Sequence, residues 1–523
     1  MMRYCGYSIL LIILATFCGG IYTAFAAENS MGSADDTLSA RPPVISAVDD
    51  NYSQARTFSG FVYQNPAIKK YQFEHSLTEL YLQGDFRNED LAFVVQQGDK
   101  AALYGINAGS YIHLSPKSTV WGGASYNAGK KKNILWNSSS DYSVIAPYIT
   151  LDSVGGDMHS EQYTFSGGYN HQFGKAAFGI EADFRALHEY RDYDPRPRNI
   201  VLDLNASLGG SLALGANYIA ALSFRSRVYK QTGDVSFYNE RGDGPQELFM
   251  TGLGTHNTGL ADKSASVYYQ GGTLGASLEL MPLSRRGFFV RMAYDHFSFE
   301  RIANNFNKFP TNKLIDQNAV AQIAYIRGSR LVWGIKGKFI HNYKEGVNNI
   351  VGEKTSQENP IVGSFTMYHN RMSDASLHLI IGGETGSISW SAEPYVSYKI
   401  SREEYIYPAH LMKTNHIRAG VQLNFVRRWD KWRFDTSLDG AYCNSGDGEL
   451  VIQVANMKPF LVDMSRYIYG RHSSDYTALA LDVRVDRLLK NNLGLFLAAR
   501  WQRDMFEHNK SADRLNIKLG ITF

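Results

Sequence analysis

The chain ends in the stretch Arg514-Leu515-Asn516-Ile517-Lys518-Leu519-Gly520-Ile521-Thr522-Phe523, in which apolar and polar residues alternate without a break. Successive side chains of a β-strand point to opposite faces, so one face of this stretch is apolar and the other is polar. Transmembrane barrels have this pattern because one face of each strand meets lipid and the other faces an enclosed lumen. The C-terminal stretch therefore predicts the last strand of such a barrel.

The two ends of the chain agree with export to an outer membrane. A terminal aromatic residue, here Phe523, resembles the C-terminal assembly signal of bacterial outer-membrane barrels, which implies the barrel assembly machinery as a partner. Residues 1–26 predict a signal peptide, with the positive Arg3, an apolar stretch over residues 9–17 and the small-x-small motif Ala24-Phe25-Ala26. After cleavage Cys443 is the one remaining cysteine, so we expect no intramolecular disulfide.

The composition is that of a barrel rather than of a helical membrane protein. A mean hydropathy of -0.28 and 20% charged residues fit a chain in which every second strand residue meets water. Aromatic residues make up 13%, as expected for girdles at the two membrane interfaces. The net charge of only +3 predicts no nucleic-acid partner.

The same alternation recurs from residue 71 onward and predicts an all-β fold, a closed antiparallel transmembrane β-barrel of about 18 strands. Short connections alternate with long ones such as 230–265 and 444–475, as in barrels with short periplasmic turns and long extracellular loops. This alternation places both the N-terminal segment and Phe523 on the periplasmic side, which requires an even number of strands. The numbers 14 and 16 stay open as alternatives. The candidate strands are residues 71–82, 100–113, 118–127, 162–173, 176–188, 200–212, 216–229, 266–280, 287–300, 314–327, 330–343, 374–384, 389–400, 414–426, 432–443, 476–488, 493–506 and 513–523.

Residues 27–70 do not alternate and carry Ser, Asp and the run Arg41-Pro42-Pro43. We expect a periplasmic N-terminal segment here, which is a possible lumen plug, and a transmembrane β-barrel over residues 71–523. A barrel of 18 strands is wide enough to hold a channel or a filling.

Many charged residues are predicted to face the lumen. They form either the charge rings that set a pore's selectivity or a ladder of salt bridges that holds the wall. Two neighbouring pairs of candidates carry positive charge only and suggest that the pore prefers anions: Arg225 with Arg227, and Lys336 with Lys338. The pore-lining candidates are Glu181, Asp183, Arg185, Arg225, Arg227, Arg291, Asp295, Lys336, Lys338, Arg418, Arg433, Asp435, Asp482, Arg484, Asp486, Arg500 and Lys518.

The run from Glu189 to Asn199 is predicted to be a short extracellular loop, rich in charge and aromatic residues. Two interpretations are open. Its arginines would bind an anionic substrate, or ion pairs within the loop, together with its two prolines, would hold the loop in one conformation. The loop candidates are Arg191, Asp192, Asp194, Arg196 and Arg198. Lys130-Lys131-Lys132 is also placed in a loop, solvated or in contact with lipopolysaccharide.

Four stretches carry a resemblance to a family of outer-membrane β-barrel proteins from the Bacteroidota with a domain-of-unknown-function label. They are Trp121-Gly122-Gly123-Ala124-Ser125-Tyr126, Asp152-Ser153-Val154-Gly155-Gly156-Asp157, Tyr163-Thr164-Phe165-Ser166-Gly167-Gly168-Tyr169 and the run from Glu189 to Asn199. The resemblance covers most of the mature chain. It implies a barrel located in the outer membrane and transfers no catalytic or ligand residues.

The sequence favours a passive channel or uptake porin for small polar solutes. Its expected surroundings are outer-membrane lipid and lipopolysaccharide, without cofactor or metal. One alternative is a non-enzymatic scaffold or accessory subunit of a surface transport complex. The other, a surface hydrolase, rests on Ser473 and Ser474 beside His472 and Asp475, but neighbours in sequence do not make a catalytic triad. We therefore expect no enzyme.

Overall fold

Eighteen antiparallel strands form the wall of the protein, each hydrogen-bonded to the next along the chain. The computed structural model describes residues 43–238, 247–257, 266–304, 307–352, 360–455, 457–490 and 492–523. The wall strands are β1 (Leu77–Glu89), β2 (Lys100–Ser115), β3 (Ser118–Ile134), β4 (Gly156–Phe173), β5 (Ala176–Tyr190), β6 (Arg196–Leu214), β7 (Tyr218–Ser236), β8 (Ser266–Pro282), β9 (Gly287–Ala303), β10 (Phe309–Arg327), β11 (Leu331–Val351), β12 (Ile361–Thr385), β13 (Ile388–Tyr405), β14 (His410–Trp429), β15 (Trp432–Ser445), β16 (Tyr476–Leu488), β17 (Gly494–Phe506) and β18 (Lys510–Thr522).

The first and last strands meet and close the sheet. β18 pairs with β1 in an antiparallel register that runs from Glu79 opposite Thr522 to Glu89 opposite Ala512. Beyond it, the backbones of Thr78 and Phe523 exchange two hydrogen bonds of 2.8 and 3.0 Å. The predicted all-β closed barrel of 18 strands is confirmed, and the alternatives of 14 and 16 strands are wrong. The predicted signal peptide lies outside the described residues.

The outer surface of the wall is apolar. Large side chains at every second position are exposed on it, such as Leu274 at 71%, Phe224 at 59% and Leu519 at 50%. Leaving apolar area in water costs about 25 cal/mol per Å², so rows of such residues around a closed wall require an apolar environment. The alternation of the C-terminal stretch therefore predicted both the strand and the direction of its side chains.

Several strands are longer than predicted at the end with long connections. β3 continues to Ile134, so the run Lys130-Lys131-Lys132 lies in a strand and not in a loop. β11 continues to Val351. Over residues 128–134 and 344–351 the apolar and polar residues do not alternate strictly, although the neighbouring strands continue to pair. At the start of the wall, β1 begins at Leu77 and not at residue 71.

The remaining elements belong to the N-terminal segment and the long connections. The helices are α1 (Pro43–Asn51), α2 (Gln54–Ser59), α3 (Tyr142–Ile145) and α4 (Pro459–His472), and the 3₁₀ turns are Gly60–Gln64, Lys69–Tyr71, Val95–Gln97 and Glu507–Asn509. Short strands Thr150–Leu151, Leu248–Gly252 and Thr255–His256 form a separate three-stranded sheet, and Glu449–Val451 pairs with β14. None of the described helices is long and apolar enough to span a membrane.

We predict that Gly520→Val weakens closure of the barrel. A Cβ atom at Gly520 would meet the carbonyl oxygen of Leu80 and the side chain of Tyr81 across the closing pair. Such overpacking costs about 1–3 kcal/mol. The measurement is the temperature at which the folded band disappears in a heat-modifiability gel, which we expect to fall. Gly440→Val is the control, because its Cβ meets only Leu479 at 3.7 Å; equal transitions for both variants would contradict the prediction.

Candidate functional site in the barrel lumen

Residues 43–76 lie inside the wall, where they contact inward side chains from strands all around the barrel; we call them the inner segment. Lys69 Nζ lies 2.8 Å from Glu181 on β5, and Asn65 Nδ2 donates to Glu279 on β8 at 2.8 Å. On the far side of the wall, Asp49 contacts β14 and β15. A segment can reach strands this widely separated only from within the lumen.

A buried charge cluster anchors helix α1 of the inner segment. Asp49 accepts hydrogen bonds from Arg428 Nε at 2.5 Å and from Arg433 Nε at 2.8 Å. Arg433 is 1% exposed and also pairs with Asp435 and Asp486. Because a buried charge is expensive without partners, α1 is held where these carboxylates and guanidinium groups compensate one another.

The turn that follows α2 packs directly on the wall backbone. Asn170 donates to the carbonyl oxygens of Pro66 and Ala67 at 3.1 and 2.7 Å. Gly209 on β6 faces the turn so closely that a Cβ atom there would strike Asn65 Oδ1. The neighbouring Gly210 faces outward and would meet nothing. The inward glycine of this pair therefore allows the inner segment to approach the wall.

An apolar cluster completes the contact at the end with short turns. Phe58, Val62 and Ile68 of the inner segment pack against wall residues that include Phe289 and Ile326. These wall residues lie beside the short turns, which the sequence predicts to be periplasmic. The inner segment therefore occupies the lumen at that end.

At the opposite end, the long connections fold into the lumen and form a second filling, which we call the cap. It consists of residues 135–155, residues 247–257 and helix α4. Ile145, Leu151 and Phe249 are almost fully buried in one apolar cluster with inward wall residues. Arg301, which is 0% exposed, donates to the carbonyl oxygen of Ile149 at 3.0 Å and so ties β9 to the cap.

A second buried charge cluster holds the cap together. Arg191 Nη1 lies 3.1 Å from Asp152, with both side chains fully buried. Ser138 donates to Glu247 at 2.7 Å. Burial and the nearby Asp152 carboxylate raise the pKa of Glu247 to about 8. Near neutral pH this carboxyl group therefore keeps a proton in the folded cap.

Beside the inner segment, the lumen retains two polar cavities. One has a volume of about 420 Å³ and is lined by Glu79, Arg484 and Asp435 together with Tyr52 of the inner segment. The other has a volume of about 380 Å³ and is lined by β1 to β4. Gly109 faces it, and a Cβ atom on this glycine would have no neighbour within 4 Å. The first cavity is lined by charges of both signs, and the second by small polar groups and the carboxylate of Glu79, which suits water and small polar solutes.

Every pore-lining candidate from the sequence lies on the strand face that points to the lumen, opposite to the rows of exposed apolar residues. Most of them form ion pairs, as in a salt-bridge ladder. Arg225 pairs with Asp295 at 3.6 Å and Arg227 with Asp203 at 2.7 Å, so both arginines are charge-compensated. The further pairs are Arg185 with Asp203, Arg291 with Glu279, Lys336 with Glu393, Arg418 with Asp439, Arg433 with Asp435, Arg484 with Asp486 and Arg500 with Asp482.

Three candidates form no ion pair with a described residue: Asp183, Lys338 and Lys518. The ammonium group of Lys518 lies 5.2 Å from the ring centre of Tyr81 instead. These side chains and the polar cavities are the part of the lumen where a solute would meet uncompensated charge.

Two of the extracellular-loop candidates are not in a loop. Arg196 and Arg198 lie in β6, where they pair with Ser236 and Asp234 of β7, so their assignment to the loop was wrong. Pro195 and Pro197 suggested a loop, but the neighbouring strand extends far enough to pair with this segment. The sequence alone does not show how far that partner reaches.

The loop candidates are pinned by nearby groups. Asp194 pairs with Arg196 at 2.8 Å, and Asp192 lies 2.8 Å from His159. Arg191 is buried against Asp152, away from any solute. Asp194 with Arg196 is thus a pair within the run, as one alternative expected, whereas Asp192 and Arg191 are held by His159 and Asp152 from other parts of the chain.

The residues behind the hydrolase alternative do not form a nucleophile and base. Ser474 donates to the carbonyl oxygen of Gly470 at 2.6 Å, and Asp475 accepts from the backbone of Ser445 at 2.7 Å. Within the described part of the chain, His472 makes no hydrogen bond to either serine. Nor do the described residues contain a group of three or more His, Cys, Asp or Glu side chains that could hold a metal ion.

The residues that matter most for the lumen were missed from the sequence. Asp49, Tyr52 and Asn65 lie in a segment without periodicity, and their partners are far away along the chain. Helix α4 did leave a signal: Pro459 stands at its first turn, and apolar residues recur at Leu461, Met464 and Ile468.

Comparisons with known proteins give a family but no function. The profile of a family of unknown function, DUF6850, matches residues 66–523. No curated protein matches the chain significantly. The expectation of an uncharacterised family is confirmed, while the Bacteroidota affiliation stays a prediction.

The fold is similar to barrels among solved structures. One is BauA, the ferric preacinetobactin receptor from Acinetobacter baumannii, with 10% identity over 86% of this chain and 79% of that chain and a TM-score of 0.40. Another is OpdK from Pseudomonas aeruginosa, solved with vanillate, with 9% identity over 86% of this chain and 99% of that chain and a TM-score of 0.34. At these values the likeness carries no argument about function.

We predict that Asp49→Ala loosens the inner segment. Removing one partner of a buried ion pair costs about 3–5 kcal/mol, whereas an exposed pair contributes about 0–1 kcal/mol. Limited trypsin digestion in detergent, with cleavage at Arg56 or Lys69 as the readout, should show faster release of N-terminal peptides. Glu74→Ala is the control, because Glu74 is 61% exposed in its pair with Arg285; equal cleavage of both variants would count against the anchor.

We predict that order in the cap falls as the pH rises. The folded cap raises the pKa of Glu247 from 4.5 to about 8, so its contribution to stability is complete below pH 4.5 and is lost as the pH rises through 8. Hydrogen exchange of residues 247–257, corrected for the intrinsic rate, should accelerate from pH 5 to pH 9. Glu247→Gln should flatten this dependence and Glu74→Gln should keep it. An unchanged slope in Glu247→Gln would refute the assignment.

Proposed function

The chain belongs to the family of unknown function DUF6850, and from that premise we propose that it conducts small polar solutes across the bacterial outer membrane through a restricted lumen. The support is the geometry of an outer-membrane-type β-barrel: a closed 18-stranded wall, an apolar exterior and a charged interior. Signal-peptide export over residues 1–26, a Bacteroidota source and assembly through Phe523 are parts of the same proposal.

The observation that carries the proposal is the pair of polar cavities left in the lumen beside the inner segment. At about 30 Å³ per water molecule, volumes of about 420 and 380 Å³ hold on the order of ten waters each. Such spaces favour solutes about as large as an amino acid. The inner segment acts in this proposal as a plug that narrows the path at the periplasmic end.

A second candidate is the scaffold or accessory subunit of a surface transport complex. It is favoured by the filling of the lumen at both ends, since the inner segment and the cap each bury apolar and charged side chains against the wall. A barrel that needs no transport path tolerates such a filling. Conductance measurements separate the two candidates.

We predict that the purified full chain forms small channels in planar bilayers and that Gly109→Trp reduces their conductance. The indole ring would enter the lumen cavity beside Gly109, where a side chain meets no neighbouring atom. Gly210→Trp is the matched control, because Gly210 is equally unobstructed but faces outward. A silent wild-type barrel, or equal conductance of the two variants, would favour the scaffold.

A further inference from the structure

A third cavity lies at the outer end of the lumen, separate from the two polar cavities. Its volume is about 330 Å³, and it is bordered by the inner faces of β11 to β14, by residues 93–96 of the connection between β1 and β2, and by the cap with its helix α4. Parts of the chain that are far apart in sequence therefore meet around one space. We call it the cap cavity.

The part of the cap cavity that faces the cap is apolar. It is lined by Ile149 and Met250 of the cap, by Met464 of α4 and by Met412 of β14. Methionine side chains are flexible and polarisable, so they adapt to apolar groups of different shape. This part of the cavity suits a hydrocarbon or aromatic body.

The part near β13 and β14 is polar and contains a lysine. Lys399 and His416 stand directly opposite each other in the pairing of β13 with β14, and Ser401 and Thr414 form the adjacent inward pair. Lys399 makes no ion pair with any carboxylate in the described part of the chain, although Asp374 is its neighbour on β12. A positive charge is therefore available at this end.

Helix α4 adds His472 to the same polar part. Burial and the positive charges of Lys399, His416 and Arg471 lower the pKa of His472 to about 4. At neutral pH its imidazole ring is uncharged and can donate one hydrogen bond. The polar part thus places hydrogen-bond donors beside the ammonium group of Lys399.

The acidic group of the cavity is already engaged. Glu403 takes part in a hydrogen bond with Tyr368 and is close to the positive charge of Lys344. Lys344 in turn pairs with Asp316 at 3.5 Å. Lys344 is thus shared between two carboxylates, and the ammonium group of the cavity that pairs with no carboxylate of the described residues is that of Lys399.

We propose that the cap cavity binds a small monocarboxylate with an apolar body, with the carboxylate at Lys399 and the body among the methionines. A single ammonium group matches a single negative charge better than a phosphate, and the apolar lining excludes small inorganic anions. This site does not depend on whether the lumen conducts.

The test is titration of the purified full chain with 3-phenylpropionate and with 3-phenylpropan-1-ol, which has the same body without the charge. We expect the acid to bind at least ten times more tightly than the alcohol. Lys399→Met should remove that preference while leaving alcohol binding unchanged. Lys336→Met is the matched control, because Lys336 is an inward lysine of β11 that already pairs with Glu393 at 3.4 Å and does not line the cap cavity; it should bind like the wild type.

A second variant fills the cavity without changing its charge. Thr414→Phe should weaken the binding of both compounds at least tenfold, because Thr414 lines the cavity. Folding of each variant is verified by heat-modifiability. The proposal is overturned if the wild type binds neither compound, if it binds both equally, or if folded Lys399→Met retains the preference for the acid.

Discussion

The rest of the structure depends on the hydrogen-bonded closure of β1 on β18. An open sheet edge in hydrocarbon would leave a row of backbone amides and carbonyls unpaired, each at a cost of several kcal/mol. Closure through Thr78 and Phe523 and the register beyond them removes that edge. It also creates an enclosed lumen, in which the inward polar and charged side chains of every strand need partners.

The inward side chains find these partners in ion pairs within the wall and in two segments of the same chain that fill the lumen. Asp49 of the inner segment joins Arg428 and Arg433 of the wall, and Asp152 joins Arg191 in the cap. Each cluster is buried, so each charge is held in place by its partners rather than by water. What remains of the lumen is a set of cavities, and their size limits what the barrel can pass or bind.

The wall could be predicted from the sequence because alternation is a local signal. Every strand of the barrel carries it. A residue such as Arg484 or Glu181 lies on the inward or the outward face according to its position in the alternation. Strand ends were less predictable, as Arg196 and the lysine run of β3 show, because pairing partners decide where a strand stops. The sequence suggested a possible lumen plug in residues 27–70, but the contacts of the fillings were not predictable, since a contact such as Asn65 with Glu279 joins residues 214 positions apart.

The central claim is that the inner segment occupies the lumen against β6, and a disulfide in the assembled barrel tests it most directly. The Asn65 side chain lies where a Cβ atom of Gly209 would stand, so Asn65→Cys with Gly209→Cys, in a Cys443→Ser background, should crosslink in whole cells and shift the band on a non-reducing gel. Asn65→Cys with Gly210→Cys should not, because Gly210 faces outward. Absence of the first crosslink in a folded barrel, or equal crosslinking of both pairs, would contradict the account.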